Sequence, residues 1–124
     1  MGAAPAAGTM TSPAPPTARI LIADDQADIR LALHLLLKSA GFRTECVDSP
    51  EALLEALDRS GADVVLMDLN YTRDTTSGTE GLALLPRVRA LDPHVAVVVM
   101  TAWATIDLSV EAMRRGAADF VLKP

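Results

Sequence analysis

Three aspartates, a threonine and a lysine hold most of the chemical potential of this sequence. Asp24 and Asp25 follow Ile20-Leu21-Ile22-Ala23, and Asp68 follows Val64-Val65-Leu66-Met67. Thr101 follows Val95-Ala96-Val97-Val98-Val99-Met100, and Lys123 follows Phe120-Val121-Leu122. Short aliphatic runs bounded by polar residues predict buried strands. In an open parallel sheet, ligands sit outside the carboxyl ends of the strands. Carboxylates next to apolar strands are expensive unless a cation joins them. Three carboxylates, a hydroxyl and an ammonium delivered to one sheet edge describe a phosphoryl-transfer site with Asp68 as the acceptor.

The elements that must position these groups alternate between strand and helix. Strands are predicted over residues 19–23, 43–47, 63–67, 95–100 and 119–122, with helices over 27–40, 50–60 and 106–115. A further helix ends near Leu91. Gly41 stands where a helix C′ glycine is favoured, and Ser49 with Pro50 forms an N-cap followed by a first-turn proline. Pro86 would cost a hydrogen bond and clash with the preceding turn inside a helix, so the third helix is expected to start late, near Leu84 or Leu85, or to be distorted. Near-continuous aliphatic strands separated by helices imply a parallel sheet covered on both faces, a doubly wound α/β fold.

Residues 1–17 are rich in Ala and Pro, show no hydrophobic period, and read as a disordered leader before a single domain over 18–124. In the first helix, Arg30, His34 and Lys38 form a polar stripe while leucines cover most of the remaining circumference. So apolar a helix expects partners on more than one side. No helix follows the fifth strand in the sequence, so the final helix is expected to be missing from this chain, which then reads as the front part of a longer protein. His34 is expected to face solvent.

Bulk properties exclude several classes. The formal net charge is −5 over 124 residues, which argues against direct nucleic-acid binding by this segment. No apolar stretch approaches the ~20 residues that span a bilayer, and there is no secretory leader pattern. The single cysteine, Cys46, cannot form an internal disulfide and reads as a small buried hydrophobe in a reducing cytoplasm.

With Ile-Leu-Ile-Ala-Asp24-Asp25, Leu-Met-Asp68, Val-Met-Thr101-Ala102 and Asp-Phe120-Val-Leu-Lys123-Pro124 in this order, residues 19–124 resemble a bacterial two-component response-regulator receiver domain. The segment from Met100 to Phe120 further resembles receivers joined to AAA+ enhancer-binding activators. The resemblance implies a flavodoxin-like five-stranded sheet of order 2-1-3-4-5. It implies that Asp68 accepts a phosphoryl group from a sensor histidine kinase or phosphotransfer protein. Mg²⁺ would be held by Asp25, Asp68 and the backbone carbonyl of Asn70, with Asp24 acting through water. Lys123 would pair with a phosphoryl oxygen, and Thr101 and Phe120 would form the switch. It also implies a cis Lys123–Pro124 bond, a cytoplasmic location, control of a downstream, transcriptional effector, and scope for a homodimer. Trp103 stands just past the site, where it would shield the phosphoryl group or cover the loop.

One departure stands beside the acceptor. Most receivers carry proline four residues after it, where this chain has Thr72. If Gly81 matches the family glycine, the loop carries about five extra residues, a modest entropic cost; Gly78 is the other candidate. A phosphatase working through an aspartyl phosphate is disfavoured, because the position two residues after Asp68 is Asn70, which cannot serve as a general acid. No Gly-rich loop follows the first strand, which removes a nucleotide-binding reading. The expectation is a non-enzymatic phosphoacceptor with at most slow self-dephosphorylation. The alternative is a phosphorylation-independent interaction module.

Overall fold

The computed structural model describes residues 17–70, 79–102 and 105–123. Outside them lie residues 1–16 of the expected leader, the loop positions Thr72 and Gly78, Trp103, and Pro124 with the peptide bond before it.

Among the described residues, five parallel strands alternate with four helices: β1 Arg19–Ala23, α1 Ala27–Ser39, β2 Arg43–Val47, α2 Pro50–Ser60, β3 Val64–Asp68, α3 Thr79–Leu91, β4 Ala96–Thr101, α4 Ile106–Arg114 and β5 Asp119–Leu122. The sheet order is β2-β1-β3-β4-β5, as expected. Two strands end one residue later than their apolar runs suggest. Asp68 pairs in register with Met100, and Thr101 with Leu122, so both polar residues belong to the ladder.

Alternation along the strands divides the interior into two layers. Leu21, Val65, Met67, Val97 and Val99 point to the face covered by α2, α3 and α4, where they meet Leu53, Leu57, Leu84, Leu85 and Val88. Ile20, Ile22 and Met100 point to the other face and meet Leu33 of α1. Helices therefore cover both faces, but α1 buries only one stripe. Leu31, Leu35 and Leu36 lie in the open.

Caps explain where the helices stop and start. Ser49 Oγ accepts from the Ala52 amide at the head of α2. At the tail of α1, the Gly41 amide donates to Lys38 and the Phe42 amide to Leu37, with Gly41 at φ 98°. This is the paired closure that favours glycine at C′.

Three expectations need correction. α3 does not begin late: it runs from Thr79 with Pro86 inside it. A mid-helix proline costs about 3 kcal/mol. Leu84, Leu85 and Val88, all buried around Pro86, each contribute about 1.5–3 kcal/mol, so packing outweighs the cost. Pro86 itself faces solvent, where water can satisfy the carbonyl it frees. Cys46 is exposed rather than buried, because β2 is the edge strand. His34 is half-buried, its Nδ1 hydrogen-bonded to Thr44 Oγ1 across from α1 to β2.

Candidate functional site

The ends of β1, β3, β4 and β5 converge at one edge of the sheet. Asp24 follows β1 directly; its amide donates to Val47 and its Oδ1 accepts from the Gln26 amide. The Arg30 guanidinium, one turn into α1, donates to the Asp24 carbonyl at 2.8 Å. Asp24 is thus fixed from both sides before its outer carboxylate oxygen is used. Asp68 ends β3, and the next amide, Leu69, donates to the Met100 carbonyl of β4. Beyond β5, the Lys123 amide donates to the Thr101 carbonyl at 3.0 Å. That bond extends the β4–β5 pairing by one step and carries the lysine to Asp68.

Carboxylate oxygens of Asp24, Asp25 and Asp68 lie within 4.8 Å of one another. Asp24 and Asp68 are buried, and Asp25 is half-buried. Lys123 Nζ lies 2.9 Å from Asp24 Oδ2 and 2.9 Å from Asp68 Oδ2, with the lysine side chain only 9% exposed. Thr101 is fully buried at the end of β4. Phe120 pairs in register with Val99 and is half-buried against the main core. Its ring lines an open groove with Ser109, Val110, Met113 and Arg114 of α4.

Three carboxylates face one ammonium at this sheet edge. Burial pushes the Asp68 carboxyl above the usual carboxylate range, against the pull of Lys123 and the Asn70 backbone amide. Burial and the neighbouring Asp24 carboxylate likewise raise Asp25. Burial works against the Lys123 charge, yet the Asp24 and Asp68 carboxylates outweigh it and hold the ammonium above its ordinary range. The two carboxyl shifts report burial before charge, whereas the Lys123 shift reports the excess of carboxylates around it.

A hard divalent cation fits that excess. Its preferred ligands are carboxylate oxygens, and Asp68 Oδ1 is buried without a hydrogen-bond partner. Asp24, Asp25 and Asp68 are the donor set that the sequence nominates, and they come together. Thr101, Lys123 and Asn70 also reach this edge of the sheet.

One participant escaped the sequence reading. Gln26 Oε1 accepts from Lys123 Nζ at 2.8 Å, across 97 positions of chain. Its place directly after the Asp pair is the one signal that could have nominated it.

Gly81 packs back against the residue that follows Asp68. Its amide donates to the Leu69 carbonyl at 2.9 Å, and a Cβ there would lie 2.4 Å from Leu69 Cα. Only glycine permits that approach.

The chain matches the family described as "Response regulator receiver domain" over residues 20–124. It is 39% identical over 107 residues to the response regulator protein FleR of Pseudomonas aeruginosa, covering 86% of this chain and 22% of that protein. It is 35% identical over 103 residues to the DNA-binding transcriptional regulator NtrC of Klebsiella pneumoniae, covering 83% of this chain and 21% of the relative. The chain therefore spans about a fifth of the length of these curated relatives. Among solved structures, NtrX from Brucella abortus superposes with a TM-score of 0.76 at 31% identity, covering 87% of this chain and 24% of that one.

Proposed function

The chain belongs to the response-regulator receiver domain family of two-component signalling, and from that premise we propose that Asp68 is its phosphoacceptor. The observation that carries this reading is the environment of one side chain. Asp68 has one oxygen held by Lys123 and the other buried and unbonded, inside the three-carboxylate cluster.

In the transfer, a carboxylate oxygen of Asp68 forms a bond to phosphorus while the bond from phosphorus to the donor breaks. With a phosphohistidine donor, on a sensor histidine kinase or phosphotransfer protein, the imidazole nitrogen keeps the electron pair. With acetyl phosphate, acetate leaves. Lys123 stands ready to pair with an oxygen of the arriving group, stabilising charge where it develops. Asp25, Asp68 and the Asn70 carbonyl would hold Mg²⁺, with Asp24 acting through water; the ion supplies charge neutralisation when bound. Thr101 and Phe120 would register the modification, the hydroxyl turning to the phosphoryl oxygen and the ring moving toward the core.

The domain works as a switch in the cytoplasm, with at most slow self-dephosphorylation, and controls a transcriptional effector. The kinship with NtrC supports that output. A phosphorylation-independent interaction role finds no support, since none of the acids nor the lysine has been replaced.

The test is intact mass after incubation with acetyl phosphate, with and without Mg²⁺. A single phosphoryl gain that requires Mg²⁺ and is lost in Asp68→Asn is expected. No gain in a folded sample would overturn the assignment.

A further inference from the structure

Gln26 occupies the N-cap position of α1, yet its side chain makes no capping bond. Residues favoured at that position are normally Ser, Thr, Asp or Asn, whose short side chains reach the first-turn amides. Glutamine is poorly suited to this, and here its carbonyl turns away from the helix to accept from Lys123 Nζ at 2.8 Å. The backbone carbonyl of Gln26 still accepts from the Arg30 amide, so the helix starts without help from the side chain.

An ammonium has three donors and no acceptor. Lys123 faces Asp24 Oδ2 at 2.9 Å, Asp68 Oδ2 at 2.9 Å and Gln26 Oε1 at 2.8 Å. Two of these are hydrogen bonds, to Asp68 and Gln26, and Asp24 adds an ion pair without one. Asp24 and Asp68 approach from the sheet edge, and Gln26 approaches from the exposed start of α1. Without it, the outer donor would face water, and the four-carbon stem would be free to swing.

We infer that Gln26 is a positioning residue, which acts through Lys123 by holding its ammonium over Asp68 while the phosphoryl group is accepted. This role rests on the reading of Asp68 as the phosphoacceptor. A neutral acceptor suits such a role, because it orients the ammonium without competing for it as a third carboxylate would. When a phosphoryl oxygen takes over one donor of Lys123, Gln26 keeps another in place. The charge is then kept at the reacting centre rather than drawn into solvent. Orientation of this kind acts on rate more than on affinity.

The chain has two lysines, Lys38 and Lys123. Protein labelled with ¹⁵N-lysine therefore gives two side-chain ammonium signals, with Lys38 as an internal control. Gln26→Leu keeps the side-chain bulk and removes the acceptor; Gln26→Glu restores an acceptor oxygen at the same reach. Because Gln26 is exposed, neither change touches the core. Phosphorylation is followed with acetyl phosphate at saturating Mg²⁺.

The expected result is a Lys123 signal that shifts and exchanges faster in Gln26→Leu, and phosphorylation slowed three- to tenfold. Gln26→Glu should restore the slow exchange of the Lys123 signal but not the full rate, since its added charge competes for the ammonium, while the Lys38 signal stays constant. An unchanged Lys123 signal in Gln26→Leu would overturn the contact. An altered signal with an unchanged rate would overturn the positioning role. Wild-type protein that takes up no phosphoryl group would overturn the phosphoacceptor reading itself and the positioning role with it, an outcome distinct from variants that match the wild type.

Discussion

Gly81, in the first turn of α3, lies against the backbone of Leu69, one residue beyond Asp68, the proposed phosphoacceptor. A Cβ on Gly81 would come within 2.4 Å of Leu69 Cα and 2.8 Å of the Leu69 carbonyl oxygen. Neither partner is a flexible side-chain end that can step aside. Gly81→Ala should therefore lower stability by about 1–3 kcal/mol, the range for overpacking, measured by urea unfolding. The strain falls next to Asp68, so phosphorylation by acetyl phosphate should slow in the same variant while it is still folded. Wild-type stability in Gly81→Ala would show that this contact is loose.

Burial of the site's carboxyls sets a pH dependence. A carboxyl raised in the folded state, as Asp68 and Asp25 are by burial, favours folding while protonated. Its contribution is whole below the ordinary value of 3.8 and is lost as pH climbs through the raised folded value. At neutral pH without divalent cation, ionised Asp68 opposes folding. Asp68→Asn should then melt above the wild type, by a gap that opens as pH rises from about 4. Lys123, also raised, adds stability that is whole below 10.5 and lost as pH passes its raised value. Melting curves across pH, in chelator, would read both trends.

Mg²⁺ should reverse that ranking. Ligand binding to the folded state stabilises it by about 2.7 kcal/mol at a hundredfold excess over Kd. The wild type should gain melting temperature with MgCl2 but not with NaCl at equal ionic strength. Asp25→Asn and Asp68→Asn should gain little. Equal gains in all three would show that the ion binds elsewhere.

Helix α1 separates buried from exposed leucines over a few residues. Leu33 is 7% exposed beneath the sheet, whereas Leu36 is 64% exposed. Leu33→Ala should cost about 2–5 kcal/mol, and Leu36→Glu should stay within about 0.5 kcal/mol of wild type. Chemical denaturation of the two variants side by side checks the contrast.

Arg89 joins the end of α3 to the turn after α4. Its Nε and Nη2 donate to the Gly116 carbonyl at 3.1 and 3.0 Å, and its Nη1 donates to the Pro93 carbonyl at 3.1 Å. A lysine offers a point charge in place of this planar fork. Arg89→Lys should lower stability by roughly 1–2 kcal/mol; a smaller change in urea unfolding would mean that water replaces the fork.

The alternation of aliphatic runs with amphipathic helices determined the sheet, its parallel sense and the edge where chemistry gathers. This happens because strand burial and helix periodicity are local properties of the chain. Asp24, Asp25, Asp68, Thr101 and Lys123 were legible for the same reason: each ends a run whose direction is set by its own residues. The tertiary structure decided what depends on neighbours distant in sequence. Pro86 sits inside α3 because Leu84, Leu85 and Val88 are buried around it, an energy invisible in local propensity. Cys46 is exposed because its edge strand, placed as expected, leaves that side chain uncovered by its neighbours. His34 found Thr44, and Gln26 found Lys123, only once β2 and β5 were in place. A side chain's partner is set by packing, and packing is a property of the whole fold.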